Sequence, residues 1–293
     1  MSSTWNAPTW TAAELESEKR GRTVSVVLPA LNEAPTIAGV IDTITPMVGG
    51  LVDELIVLDS GSTDDTVACA RAAGARVVSR EEALPEVAPQ PGKGEALWRS
   101  LAATTGDIVV FIDSDLLDAD PLFVPRLVGP LLTEDGIHLV RGYYRRPLRL
   151  GAAEDSNGGG RVTELVARPL LAALRPELSG VLQPLGGEYA GTRELFTSIP
   201  FAPGYGVEIG ILLDTFDAYG LDAIAQVNLG VRTHRNRPLH ELGPMSRQII
   251  ATLLDRCGIG DSGVGLTQYF PDGSTRTSTV SQADRPPMKE FWA

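Results

Sequence analysis

Residues 107–115 read Asp107-Ile-Val-Val-Phe-Ile-Asp113-Ser-Asp115, an unbroken apolar run that stops abruptly at two carboxylates one residue apart. A strand apolar on both faces belongs inside a parallel sheet covered by helices. The pattern stands twice upstream. Thr23 to Leu28 is β-branched and apolar and runs into Pro29-Ala30-Leu31-Asn32-Glu33; Glu54 to Leu58 runs into Asp59-Ser60-Gly61-Ser62. Helical stretches follow, one from Pro35 and one carrying Ala68, Ala72 and Ala73, then a short strand over Ala75 to Ser79 and a helix over Gly94 to Ala103. Strands alternating with helices predict an α/β fold around a mostly parallel sheet.

The second half is less regular. A strand is expected over Ile137 to Tyr144, helices over Arg161 to Leu174, Val207 to Tyr219 and Met245 to Cys257, and a strand over Ala223 to Leu229. Thr11 and Glu14 have the spacing of a capping box, which places a helix at 11–19 before the first strand. From Pro271 the sequence is polar and without periodicity, the signature of a tail or an arm that waits for a partner.

The chain of 293 residues is long enough to bury a large core. Its net charge of −12 repels the phosphates of nucleic acid and the anionic face of membranes, so neither is an expected partner. No apolar run approaches the ~18 residues of a bilayer span, and the N-terminus lacks the order of a secretory signal. A soluble cytoplasmic protein is expected. Cys69 and Cys257 form no C-x-x-C pair and read as two buried reduced thiols rather than a disulfide or a metal site.

In an open parallel sheet, ligands bind beyond the carboxyl ends of the strands. The polar ends at 29–33, 59–62 and 113–115 therefore meet on one rim. Asp113 and Asp115 suit a hard cation such as Mg²⁺ or Mn²⁺ on a diphosphate; in isolation such a pair reads equally as turn-forming aspartates. Lys93, between Gly92 and Gly94 at a helix start, approaches a phosphate or base, or else is a surface lysine. Asn157-Gly158-Gly159-Gly160-Arg161-Val162-Thr163 before a helix makes either an anion site for a small acid or a glycine hinge. His234 completes a metal sphere or fills a structural place. Arg232, Arg235, Arg237 and Arg247 form a positive cleft or a solvated flank. Glu208, in the first turn of its helix, bonds a sugar hydroxyl or simply complements the dipole. The P-loop spacing and G-x-G-x-x-G are both absent, which disfavours an ATPase or a dehydrogenase.

Val26 to Glu33, Asp59 to Asp65 and Phe111 to Asp115 resemble the nucleotide-sugar half of GT-A glycosyltransferases. With Pro91 to Ser100, Gly158 to Pro169 and Pro203 to Gly210, the chain is similar to the actinobacterial glucosyl-3-phosphoglycerate synthases over most of its length. The one departure is Gly186, where the family pattern leads one to expect serine. The resemblance implies a GT-A, Rossmann-like fold with a helical acceptor-binding part. The divisions would be an N-terminal arm (1–22), a nucleotide-sugar-binding part (23–145), an acceptor-binding part of the same domain (146–270) and a C-terminal tail (271–293). It implies transfer of glucose from UDP-glucose, or GDP-glucose as the other donor, to the 2-hydroxyl of D-3-phosphoglycerate, with retention of the α configuration. Mg²⁺ would assist, with Mn²⁺ or Co²⁺ able to substitute, in a homodimer. Pro29, Ala30, Leu31, Glu33, Ser60, Lys93, Asp113, Ser114 and Asp115 would hold the donor. Asp115 and His234 would ligate the metal, and Gly160, Arg161, Thr163, Arg232 and Asn236 would form the acceptor side. Glu208, with Asp115 and Lys93, would stand at the reaction centre. A front-face attack is expected, because no carboxylate is independently placed as a nucleophile. The rivals are a GT-A enzyme acting on a polyisoprenyl phosphate, for which no membrane anchor is visible, and a sugar-1-phosphate nucleotidyltransferase, whose glycine-rich loop after the first strand is missing.

Overall fold

The structure, a computed structural model, describes residues 3–145, 148–150, 153–155, 160–232, 238–280 and 283–292. The apolar runs form β2 (Val24–Ala30), β3 (Glu54–Asp59), β4 (Arg76–Ser79), β5 (Ile108–Phe111) and β6 (Leu139–Arg145). With β1 (Ser3–Trp5), β9 (Tyr189–Thr192) and β10 (Ile224–Val231) they make one eight-stranded sheet, ordered β1-β10-β6-β9-β5-β2-β3-β4. Between these lies a separate hairpin of β7 (Leu148–Leu150) and β8 (Ala153–Asp155). Every pairing in the large sheet is parallel except those of β9, which runs antiparallel between β5 and β6. The expected α/β class with a mostly parallel sheet is what the chain adopts.

The absence of polar alternation in the central strands now has its reason. Val24, Val26 and Leu28 enter one apolar layer with α2 (Ile37–Ile44), α3 (Thr66–Ala72) and α6 (Phe123–Thr133), together with Leu15 of α1 (Ala12–Glu18). Val27, Val109 and Phe111 enter the other, with α5 (Lys93–Ser100), α7 (Arg168–Leu174), α8 (Arg193–Ser198), α9 (Val207–Tyr219) and α10 (Leu239–Arg256). The short α4 (Arg80–Ala83) caps β4. Successive side chains of a strand point to opposite faces, so a sheet covered on both sides needs apolar residues at every position.

The capping box at Thr11 and Glu14 is present, each side chain satisfying the other's backbone N–H at 3.3 and 2.9 Å. The helix expected from Met245 begins earlier, at Leu239, and accommodates Pro244. The helix expected over 161–174 is continuous but widens to a π-type turn at Thr163–Ala167. Cys69 and Cys257 are unbridged and half-buried rather than fully buried. No helix among the described residues is long and apolar enough to cross a membrane.

The stretch from Pro271 does not hang free. β12 (Thr275–Ser278) pairs with β11 (Leu266–Tyr269), and the chain then returns to the body. Arg285 exchanges two backbone hydrogen bonds with Phe201, Trp98 Nε1 donates to the Pro286 carbonyl at 2.8 Å, and Met288 is fully buried. Such a strap is held by backbone bonds, ion pairs and single anchors. It needs no apolar period, and so left none to read.

Candidate active site

Reading along the sheet, β4, β3 and β2 run in reverse chain order and β5 follows on the far side of β2, so the topological switch lies between β2 and β5. Loops leaving two such strands diverge and open a crevice. Here Ser114 Oγ closes its base by donating to the Pro29 carbonyl at 2.7 Å, while Thr36 Oγ1 donates to the Ser114 carbonyl at 2.8 Å. These bonds pin the Asp113-Ser114-Asp115 turn to the end of β2. Above it is a cavity of about 360 Å³ lined by every residue expected on the donor side: Pro29, Ala30, Leu31, Glu33, Ser60, Lys93, Asp113, Ser114 and Asp115. Ser114 contributes its position, since its hydroxyl is spent on the protein.

The walls also include Arg80, Gly204, Tyr205 and Gln248, which sequence reasoning missed. Arg80 was findable, because it follows the carboxyl end of another parallel strand, β4. Gln248 projects from the interior of α10 and leaves no local signal.

A line of alternating charges starts at the cavity wall with Lys93, Asp113 and Asp115 and continues into the protein behind it. Lys93, in the first turn of α5, lies 2.6 Å from Asp113 Oδ1 and 2.7 Å from Glu208 Oε1. Arg232, just past β10, places Nη2 at 2.8 Å from Asp113, 3.1 Å from Asp115 and 3.3 Å from Glu188. Its Nη1 donates to the Tyr144 hydroxyl at 2.9 Å. Expected on the acceptor side, Arg232 thus sits against the aspartates of the donor side, and Glu188 is its unforeseen buried partner. Burial alone would raise the Asp113 pKa, but Lys93 and Arg232 outweigh it and hold the carboxyl far below its ordinary range. Burial likewise works to lower the Lys93 pKa, and Asp113 and Glu208 outweigh it, holding the ammonium well above its usual value.

The sign of each shift fixes a pH range. Lys93 contributes stability below the ordinary lysine pKa of about 10.4 that is lost only as pH rises beyond it. Asp113 contributes stability above about 3.9 that is lost as pH falls. Between roughly pH 5 and 9 neither changes charge, so the pH–rate profile carries no lysine limb there. A descending limb near pH 8 that disappears in Lys93→Arg would contradict this.

Asp113 has both oxygens engaged by cations. Asp115 is the more open carboxylate, its side chain 39% exposed against 19% for Asp113. A hard oxygen donor at a crevice mouth suits a divalent ion that takes its remaining ligands from phosphate and water. Asp115 therefore fits the metal role. The second expected ligand, His234, and Asn236 lie outside the described residues, as do Arg235 and Arg237. Among the described residues no group of three or more His, Cys, Asp and Glu is arranged to hold an ion.

On the acceptor side, Gly158 and Gly159 also fall outside the described residues. Gly160 adopts φ +76°, Arg161 is half-buried at the start of the helix, and Thr163 is buried in its wide turn. Arg247 does not join a positive cleft; it makes a two-pronged ion pair with Asp261 at 2.6 and 2.7 Å.

Gly92 and Gly94 were expected to let backbone approach a phosphate, and Gly92 does line the cavity. Both also meet the chain itself: a Cβ at Gly94 would stand 2.0 Å from the Ala202 carbonyl oxygen, and one at Gly92 3.0 Å from Gly204 Cα. They seat α5 against the 202–204 segment, which is what aims Lys93 at Glu208. Similarly, a Cβ at Gly187 would lie 2.2 Å from Asp113 Oδ2. Only glycine there leaves room for the carboxylate.

A crevice at a switch point, with paired aspartates on its rim, is where an open parallel sheet binds a ligand. The chain belongs to glycosyl transferase family 2, whose family model matches residues 25–202. It is 75% identical over 287 residues to the glucosyl-3-phosphoglycerate synthase of Mycolicibacterium smegmatis, covering 97% of this chain and 95% of that one. The crystal structure of the glucosyl-3-phosphoglycerate synthase from Mycobacterium tuberculosis with Mn²⁺, UDP-glucose and phosphoglyceric acid superposes with a TM-score of 0.93 at 70% identity, over 99% of both chains. The same enzyme's complex with Mg²⁺ and UDP gives 0.93 at 71%, again over 99% of both. The GT-A fold expected from the resemblance is therefore the fold found.

Proposed function

We propose that this protein transfers glucose from UDP-glucose to the 2-hydroxyl of D-3-phosphoglycerate, with Mg²⁺ or Mn²⁺ bound, releasing UDP. The observation that carries the reading is the convergence of Lys93, Asp113 and Asp115 on a cavity lined by the whole donor set, with Arg232 paired to both aspartates. The solved relatives hold UDP-glucose and phosphoglyceric acid together, which supports the same pair here. Incubation with UDP-glucose, Mg²⁺ and a panel of small phosphorylated acids tests it. UDP release that needs 3-phosphoglycerate and yields its glucoside is expected; release indifferent to the acid would contradict it.

In this reading Pro29, Ala30, Leu31, Glu33 and Ser60 hold the nucleoside, while Asp115, with His234, holds the metal. When bound, the ion supplies positive charge at the diphosphate as the sugar C1–O bond breaks. Lys93 stays protonated throughout and adds a fixed cation beside the same region. Glu208 lies at the sugar end with Lys93 on it, and a carboxylate so paired is a poor nucleophile. The acceptor hydroxyl then attacks on the face the phosphate leaves, and the departing oxygen takes its proton, which preserves the α configuration. Isolation of a covalent glucosyl–Glu208 adduct would contradict this course.

Gly160, Arg161, Thr163 and Asn236 hold the acid, with Arg232 also lining its place. Arg161→Ala is expected to raise KM for 3-phosphoglycerate about 10- to 100-fold while leaving UDP-glucose affinity within about threefold; initial-rate kinetics and calorimetry separate the two. The division into donor (23–145) and acceptor (146–270) parts, a cytoplasmic location and a homodimer belong to the same proposal, and light scattering tests the last.

A further inference from the structure

Glu95 lies two residues beyond Lys93 on α5 and is 4% exposed, yet it sits between two arginines. Arg285 from the C-terminal strap grips both its oxygens, at 2.6 and 2.9 Å, and Arg99 meets one of them at 2.5 Å. A buried charged triad costs more desolvation than an apolar contact of similar volume, so its placement calls for a reason. The reason lies in what each member ties down. Arg99 donates to the carbonyls of Arg80, Leu84 and Val87, fixing the segment that brings Arg80 to the cavity. Arg285 lies over the Trp98 ring at 5.1 Å and donates to the Ala88 carbonyl at 2.8 Å. Its backbone N–H and C=O both bond Phe201 at 2.9 Å. Phe201 opens the segment that carries Gly204 and Tyr205 to the cavity wall and leads directly into Glu208.

Arg285 therefore bridges α5, whose leading end carries Lys93, and Phe201, in the segment that runs into α9 and Glu208, and Lys93 and Glu208 meet at 2.7 Å. We propose that Arg285 is a positioning residue for the Lys93–Glu208 pair: the C-terminal strap sets the spacing between the start of α5 and the start of α9, and so the geometry at the reacting sugar. The inference rests on the glucosyl-transfer reading for its assay.

The test is a double-mutant cycle in the full chain. In Arg285→Met, kcat with UDP-glucose, Mg²⁺ and 3-phosphoglycerate falls about tenfold or more, with the donor Kd within about threefold of wild type. On a Lys93→Met background the same change costs less than about twofold, because no pair remains to be displaced. An Arg285 that merely stabilised the fold would leave kcat of the folded protein unchanged, or lower it equally on both backgrounds; either result overturns the proposal. Arg285→Lys retains the charge toward Glu95 and covers the case in which the methionine variant does not fold. A partial loss with the same background dependence supports positioning, and wild-type kcat overturns it. If the wild-type protein releases UDP without glucosylating 3-phosphoglycerate, the substrate reading fails, and the same cycle run on UDP release still decides the role of Arg285.

Discussion

Asp115→Ala abolishes metal-dependent binding of UDP-glucose and lowers kcat by about 10³-fold or more, while the protein stays folded. The expectation follows from an asymmetry within the aspartate pair. Asp113 is clamped by Lys93 and Arg232, whereas Asp115 has a side chain 39% exposed and a charged contact with Arg232 at 3.1 Å. Removing it leaves Arg232 paired with Asp113 and Glu188, so stability changes by no more than about 1 kcal/mol. Asp113→Ala does the opposite: it removes the one carboxylate shared by Lys93 and Arg232, leaving Lys93 on Glu208 alone and Arg232 on Asp115 and Glu188, at a cost of about 3–5 kcal/mol. Calorimetric titration of UDP-glucose with and without Mg²⁺, beside urea melts of both variants, separates the roles. An Asp115→Ala protein that bound donor as tightly and as metal-dependently as wild type would remove Asp115 from the site.

Lys93→Met carries the second large effect and combines the two penalties. Methionine keeps much of the stem but takes away the cation between Asp113 and the buried Glu208. Stability is expected to fall by about 3–5 kcal/mol, because a buried carboxylate loses its ion pair. In the fraction that folds, kcat falls about 10²- to 10³-fold through the missing charge beside the leaving group. Lys93→Arg restores most of the stability and only part of the rate, since a planar fork does not replace a point charge between two carboxylates. A Lys93→Met variant with undiminished kcat would show that the ammonium serves the fold alone.

Much of this was legible along the chain, for a physical reason. Parallel strands covered on both faces must be apolar throughout, and the first polar residues after them must fall on one rim; 29–33, 59–62 and 113–115 obey both rules. What stayed hidden was non-local. The segment Tyr189-Ala-Gly-Thr192 is too short and glycine-bearing to announce a strand, yet it lies between β5 and β6, and just before it Glu188 meets Arg232. The resemblance put Arg232 on the acceptor side, and only its register just past the end of β10 reveals that it also meets the aspartates. Gly92 and Gly94 were marked correctly as special, but the atoms crowding them belong to residues more than a hundred positions away. The C-terminal strap likewise is held by distant partners, among them α5, α10 and Phe201.

In the proposed function, the ion at Asp115 and the acid at Arg161 share one cleft. With Mn²⁺ and UDP bound, paramagnetic relaxation of the 3-phosphoglycerate phosphorus and protons measures that separation directly. Strong enhancement is predicted, lost in Asp115→Ala through the metal and in Arg161→Ala through the acid. Tight binding of 3-phosphoglycerate with no enhancement from bound Mn²⁺ would contradict the account.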